Sequence, residues 1–365
     1  MPIKIINVCG ARPNFMKIAP LMAAFNDSPR IEPILLHTGQ HYDEKMSELF
    51  FRQLGIPEPD INLEVGSGSH AAQTARIMER FEPVVIEHKP DYVLVVGDVN
   101  STIACALVAT KLGVKVIHVE AGLRSFDRTM PEEINRVLTD AISDLLFVSE
   151  PSGVENLRHE GVAEPKIHLV GNVMIDTLMR HRQRADESDI LDRLNLQKRQ
   201  YVFLTLHRPS NVDDPAKLRD LLDALGQIST ELPLIFAIHP RTRKNVASFG
   251  LQDRLEAHPD IRLQEPFGYL ECLKLMNDAA AVITDSGGMQ EETTILGVPC
   301  LTLRENTERP ATITDGTNRL VVPGKQTILA AWRQLNDSPP PADRKPKLWD
   351  GNAAARITKV IENHT

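Results

Sequence analysis

Cysteine is scarce in this 365-residue chain, which holds only Cys9, Cys105, Cys272 and Cys300 and no CxxC pair. That is too little for a disulfide framework or a structural zinc site, so the four are expected to be small buried core residues. No window of about 18 consecutive apolar residues occurs, which excludes a hydrophobic membrane-spanning helix. The opening MPIKIINVCGARP is too short in apolar character for a secretory signal, and a cytoplasmic protein is expected. Positive charge is not in surplus: 41 Lys and Arg stand against 49 Asp and Glu, a net −8. Non-specific nucleic-acid binding is thereby disfavoured, although one local cationic pocket remains compatible with that balance. GxSxG, HExxH and GxxxxGK[ST] are all absent, which weighs against serine hydrolases, zincins and P-loop enzymes. Gly66-Ser67-Gly68-Ser69-His70-Ala71 matches GxGxxA, but it does not follow the first strand. NAD binding is therefore not expected there, and a flap over a cleft is the better reading of that segment.

The length suggests two domains at roughly 150 residues each. Short apolar, β-branched runs alternate with amphipathic stretches. Strands are expected at Ile3–Cys9, Pro33–His37, Tyr92–Val96, Lys115–Val119, Leu145–Val148 and Ile167–Val170. A second series follows at Tyr201–Leu206, Leu234–Ile238, Ile261–Leu263, Ala281–Thr284 and Pro299–Leu303. Runs that are apolar nearly throughout belong to strands buried on both faces of a parallel sheet. Helical patterns fit between them at Pro13–Phe25, Ser101–Leu112, Pro131–Ile142 and Gly288–Leu296. The fold class expected is α/β: two Rossmann-like doubly wound domains facing across a cleft. The charged stretch Asp186–Arg199 puts the junction before it, near Gly171–Asn172, giving domains 1–171 and 172–351. The four prolines of Asp337–Lys347 mark a surface connector to a last helix, Asn352–Asn363, which is expected to pack back on the first domain.

In doubly wound sheets ligands bind beyond the carboxyl ends of strands, so polar residues there carry most weight. The first strand runs into Gly10-Ala11-Arg12-Pro13, with Lys17 about a turn inside the helix. Cations at a positive helix N-terminus are in conflict unless an anion shares the site. Asp98 follows a strand and either caps the next helix or, if Asn100 or Ser101 caps it, faces the cleft. Glu120 follows the next strand, two residues before Gly122, and either faces the site or pairs with Arg124. Pro131-Glu132-Glu133 opens a helix, where capping explains one of the two acids. Three carboxylates at one sheet edge would raise each other's pKa, as acid–base chemistry often needs. In the second half, His207-Arg208 and His239 follow strands and are candidates for meeting negative charge, against the competing reading of satisfied core histidines. Thr284-Asp285-Ser286-Gly287-Gly288 leads from strand to helix as a phosphate-binding turn would, and Glu292 lies where a carboxylate could accept both ribose hydroxyls.

GARPNFMKIAP, TGQHYD, VVGDVNST, HVEAGLRSFD, MPEEINR, GNVMIDTL, LTLHRPSN, TDSGGMQEE and GVPCLTLRENTERP together resemble the non-hydrolysing UDP-N-acetylglucosamine 2-epimerases. The motifs run in the family's order from Gly10 to Pro310. The resemblance implies a glycosyltransferase-B type fold, often dimeric. It implies interconversion of UDP-GlcNAc and UDP-ManNAc with neither NAD nor an essential metal, by elimination of UDP to 2-acetamidoglucal and re-addition. A related sugar such as UDP-2,3-diacetamido-glucuronate, or a glycosyltransferase of the same fold, is the alternative. By resemblance, Ser286, Gly287 and Gly288 would hold the diphosphate and Glu292 the ribose, while Arg12 and Lys17 would meet the diphosphate and sugar. Asp98, Glu120 and Glu132 would be the acid–base carboxylates, and His207 would assist departure of UDP. In some relatives UDP-GlcNAc is also an activator near a QHR segment, which reads Gln40-His41-Tyr42 here.

Overall fold

The computed structural model describes residues 2–39 and 54–364, leaving aside the side chains of Arg12 and Pro13. Gln40-His41-Tyr42 therefore lies outside the described residues. Two compact units make up the chain, Met1–Arg180 with Lys347–Thr365, and His181–Pro346.

The first unit is a seven-stranded sheet in the order β3-β2-β1-β4-β5-β6-β7. Its strands are β1 Ile3–Cys9, β2 Ile31–His37, β3 Ile61–Asn62, β4 Tyr92–Val96, β5 Lys115–Ala121, β6 Leu145–Val148 and β7 Ile167–Leu169. Every neighbouring pair is parallel. The apolar runs Tyr92–Val96 and Leu145–Val148 are buried from end to end, as strands covered by helices on both faces require. The second unit repeats the pattern with β10-β9-β8-β11-β12-β13, again all parallel. Those strands are β8 Val202–Leu204, β9 Leu234–Ala237, β10 Ile261–Gln264, β11 Ala281–Thr284, β12 Cys300–Leu303 and β13 Asn318–Val321. The second order is the 3-2-1-4-5-6 winding of the Rossmann fold, and the first is the same winding with β7 added at the edge. Its switch point, where the winding reverses and ligands bind, lies between β1 and β4 in one unit and between β8 and β11 in the other.

The unit boundary falls inside the helix Val173–Asp186, later than the Gly171–Asn172 junction expected from sequence. No breaker interrupts that helix, so it runs on from one unit into the next. Its first half is held in the first unit: Thr177 Oγ1 donates to the Met16 carbonyl at 2.5 Å, and Asp176 accepts from the backbone of Ala353 and Ala354 at 3.2 and 2.8 Å. Near its far end His181 sets its ring edge-on to Tyr269 of the second unit, 6.2 Å between centroids. The helix Ala353–Asn363 belongs to the first unit. Ahead of it, buried Trp349 donates from its indole to the Ser149 carbonyl at 2.9 Å. Cys9, Cys105 and Cys300 are buried; Cys272, expected in the core, is half-buried on a helix flank. Among the described residues no helix is long and apolar enough to cross a membrane.

Candidate active site

In the first unit the switch point brings together the turn after β1, the turn after β4 and the end of β5. The helix Arg12–Asn26 starts at Ala11 without a side-chain cap from that residue. Asn14 closes the turn instead. Its Oδ1 accepts from the amides of Gly10 and Ala11 at 3.2 and 3.0 Å, and its Nδ2 donates to the Val96 carbonyl at 3.1 Å, fastening β1 to β4. Arg12 opens the helix by its backbone. Lys17 is buried one turn on and forms an ion pair with Glu120, itself only 8% exposed. Gly97 makes that approach possible: a Cβ there would lie 2.8 Å from Lys17 Nζ, and its φ of +65° suits glycine.

Glu120 occupies an unusual backbone position. Its φ is +73°, and the β5–β6 register shifts between Val119 and Ala121. A left-handed residue with a side chain costs of order 1–3 kcal/mol and persists only where its surroundings over-determine it. The alternative Glu120–Arg124 pair does not form. Arg124 joins Asp140 at 2.7 Å and Glu160 at 2.6 Å.

Asp98 does not cap the helix Asn100–Lys111, but neither do Asn100 or Ser101, contrary to expectation. Val99 is the cap residue and offers no side-chain bond; Asn100 donates to Gln73 at 2.8 Å, and Ser101 pairs with Thr38 at 2.8 Å. Asp98 is partly exposed and accepts from Arg136 Nη2 at 2.6 Å. The same guanidinium reaches Glu133 at 2.8 Å. Glu133 is buried, and its carboxylate takes the Ser125 amide and hydroxyl and the Phe126 amide, each at 2.9 Å. Neither acid caps the Pro131–Ile142 helix by a side-chain bond: Glu133 anchors the preceding loop, and Glu132 stands exposed in the first turn. The carboxylates are not left to face one another alone. Asp98 and Glu120 each meet a cation, because the Pro131–Ile142 helix supplies Arg136 and the Arg12–Asn26 helix supplies Lys17.

Sequence reasoning overlooked Asp140 and His118. Asp140 Oδ1 lies 2.6 Å from His118 Nδ1, and its Oδ2 accepts from the Gly122 amide at 3.0 Å. Burial pushes this carboxyl up, but the charges and hydrogen bonds of His118 and Arg124 more than offset that and hold it below its ordinary value. Only a contact 22 residues away in the chain reveals the pair, so no local pattern could have. The Gly66–Ala71 segment is no flap. Gly66 N–H bonds the Gly39 carbonyl at 2.9 Å, and Ser69 caps the helix His70–His88, accepting from Ala72 N at 3.3 Å.

In the second unit the turns after β8 and β11 meet on one carboxylate. Asp285, fully buried, accepts from the amides of His207 and Arg208 at 3.0 and 2.9 Å, from Asn211 at 3.1 Å and from His207 Nδ1 at 2.8 Å. Burial raises Asp285, and His207 together with the backbone donors more than reverses it. Asp285 stands in the TDSGGMQEE motif, but nothing in its local pattern announces this role. His207 is 42% exposed at its side chain, so the core-histidine reading fails. His239 is exposed too, its ring centroid 5.8 Å from that of His207 and its Nδ1 accepting from Arg241 N at 3.2 Å.

Ser286 is the cap residue of the helix Gly287–Leu296, and no side chain caps it. Arg309, also overlooked, lies against this N-terminus: a Cβ on Gly287 would meet its Nη1 at 3.2 Å. Its Nε pairs with Glu291 at 2.7 Å. Burial and the nearby Arg304 pull the Arg208 guanidinium below its ordinary value. A helix N-terminus with crowded cations favours an anion. Glu292 is fully enclosed beside Tyr269. Burial raises its carboxyl to about 8, the Tyr269 hydroxyl works against that rise, and Glu291 adds to it.

Two Rossmann-like units, each with charged side chains gathered at its switch point, define a two-unit α/β protein of glycosyltransferase-B-like class. A family model described as UDP-N-acetylglucosamine 2-epimerase matches residues 23–362. The chain is 45% identical over 369 residues to a Methanococcus maripaludis UDP-N-acetylglucosamine 2-epimerase, covering 98% of each. It is 41% identical to a Pseudomonas aeruginosa UDP-2,3-diacetamido-2,3-dideoxy-D-glucuronate 2-epimerase, over 91% of this chain and 92% of that one. The crystal structure of the Methanocaldococcus jannaschii UDP-GlcNAc 2-epimerase in complex with UDP-GlcNAc and UDP superposes with a TM-score of 0.91 at 41% identity, over 99% of this chain and all of that one. The chain belongs to the UDP-N-acetylglucosamine 2-epimerase family.

Proposed function

We propose that this protein is a non-hydrolysing isomerase that interconverts UDP-GlcNAc and UDP-ManNAc. The observation that carries the reading is an uncapped Ser-Gly-Gly helix start beside Arg208 and Arg309, in a chain 41% identical over nearly its full length to a relative solved with UDP-GlcNAc and UDP. The diphosphate is assigned to Ser286, Gly287 and Gly288 with Arg208, Arg309, His239 and Arg12, and the ribose to Glu292.

The C2 proton of the sugar is too weakly acidic for direct removal. Breaking the C1–O bond first sends its electron pair to UDP and leaves positive character on C1, which acidifies C2–H. A carboxylate takes that proton, and the C1–C2 alkene forms. Delivery of a proton to the other face of C2, with return of the UDP oxygen to C1, gives the epimer. Asp98, Glu120 and Glu132 are assigned to these transfers. Lys17 holds the Glu120 carboxylate in place through their ion pair. His207, oriented by Asp285, and the glycine turn stabilise the departing diphosphate.

Incubation with UDP-GlcNAc alone in D₂O tests this. UDP-ManNAc should appear, with deuterium at C2 of both sugars. No new UDP-sugar, or free ManNAc with UDP, would refute it. The Pseudomonas relative's similar identity favours a second reading, a 2-epimerase of UDP-2,3-diacetamido-glucuronate. Turnover of that sugar but not UDP-GlcNAc in a substrate panel would select it. The assembly we propose is a homodimer. The Pro131–Ile142 helix exposes Ile134 and Leu138 one turn apart, 43% and 49% accessible, and light scattering of the purified protein decides the point. The compartment proposed is the cytoplasm, where the buried thiols of Cys9, Cys105 and Cys300 would stay reduced.

A further inference from the structure

The buried pair of His118 and Asp140 touches every element that carries a proposed acid. His118, on β5, is completely enclosed. Its Nδ1 faces Asp140 at 2.6 Å, and its Nε2 faces the Gly97 carbonyl at 2.8 Å. Asp140 and the Gly97 carbonyl both offer acceptor oxygens, so each ring nitrogen is placed to donate. Asp140 supplies the countercharge from the Pro131–Ile142 helix and also binds the Gly122 amide. Arg124 extends the chain of charges from Asp140 to Glu160.

Glu120 sits between the two anchored points of β5, His118 before it and Gly122 after it. Asp98 directly follows the Gly97 whose carbonyl His118 holds. The helix that provides Asp140 also fixes Asp98, through Asn135 on its carbonyl at 2.9 Å and Arg136 on its carboxylate. Apolar side chains of similar volume would fill this space at less cost than enclosed charges. What charges add is direction: four hydrogen bonds with fixed geometry, placed around a left-handed residue that would otherwise relax.

Resting on the function proposed above, we propose that His118 and Asp140 form a positioning clamp that sets the separation of Asp98 and Glu120 for proton transfer at C2. Neither is assigned contact with substrate.

Two substitutions divide the clamp. His118→Asn keeps a nitrogen near Nδ1, facing Asp140; His118→Gln keeps one near Nε2, facing the Gly97 carbonyl. In the full-length enzyme, at a temperature where circular dichroism shows each variant folded, UDP affinity should stay within about twofold. The kcat for UDP-GlcNAc and the rate of solvent deuterium entry at C2 should fall together by about 10- to 100-fold. Folded variants that keep wild-type kcat would overturn the proposal. So would a kcat loss matched by an equal loss of UDP affinity, which a merely structural role predicts. Should both variants fail to fold, ¹⁵N NMR of histidine-labelled wild-type protein decides: hydrogen-bonded N–H groups at both ring nitrogens of His118 support the clamp, and a bare nitrogen overturns it. A wild-type enzyme with no C2 exchange on any UDP-sugar defeats the functional reading instead, separately from the NMR result.

Discussion

The enclosed Glu292 makes a quantitative demand on stability. Burial raises its carboxyl to about 8, against an ordinary value of 4.5. An acid whose native pKa exceeds its unfolded one supports the fold while neutral. That support is whole below pH 4.5 and is lost as pH rises through about 8. Between pH 5 and pH 8 the unfolded chain has already lost most of this proton, whereas the native protein still holds it and is only half deprotonated at about pH 8. Summing the difference gives roughly 3–4 kcal/mol of stability lost by the wild type over that interval. Glu292→Gln has no proton to release and nearly the same shape. Its stability relative to wild type should therefore improve by roughly 3–4 kcal/mol between pH 5 and pH 8, measured by urea unfolding of both proteins at each pH. Other titrating groups cancel in the comparison. If the carboxylate form grips the ribose, wild-type affinity for UDP should rise about eightfold from pH 7 to 8.5, and the Gln variant's should not. A stability difference that stays flat with pH would show that Glu292 is not desolvated as described.

Glu120→Gln should lower turnover about 100-fold or more while sparing UDP binding, as steady-state kinetics and calorimetry would report; full activity would remove Glu120 from the reaction. Asp285→Ala strips a buried acceptor from four donors, so unfolding titrations should register a loss of about 2–4 kcal/mol, with weakened UDP binding as the His207–Arg208 turn loosens. Asp176→Ala takes the acceptor from the first amides of the Ala353–Asn363 helix. It should cost about 1–2 kcal/mol and speed hydrogen exchange in that helix; unchanged exchange there would show the cap is idle.

The strand-end sites were legible because buried parallel strands announce themselves as apolar runs, and polar residues just beyond stand out. Ile3–Cys9, Tyr92–Val96 and Leu145–Val148 agree with sequence to the residue. β13, Asn318-Arg319-Leu320-Val321, escaped notice because an edge strand covered on one side needs no such run. What pattern could not show was pairing. Arg124 looked like a partner for Glu120 by proximity in the chain, but the register shift at Glu120 turns it toward Lys17, and Arg124 goes to Asp140. Glu132 and Glu133 are indistinguishable as letters. Helical phase separates them, one toward solvent and one back onto the Ser125–Phe126 loop. Asp140 and Asp285 read as ordinary helix and turn residues, since their donors arrive from 22 and 78 positions away.

The ordering of segments along the chain bears on synthesis. The last 19 residues, Lys347–Thr365, complete the first unit, with Trp349 buried in it and the final helix docked on Asp176. A ribosome therefore releases every strand of both sheets before the amino-terminal unit has its closing piece. That unit must wait, partly open, until this segment has emerged, whereas His181–Pro346 can finish earlier. Loss of Lys347–Thr365 would thus damage the half made first and leave the half made second intact.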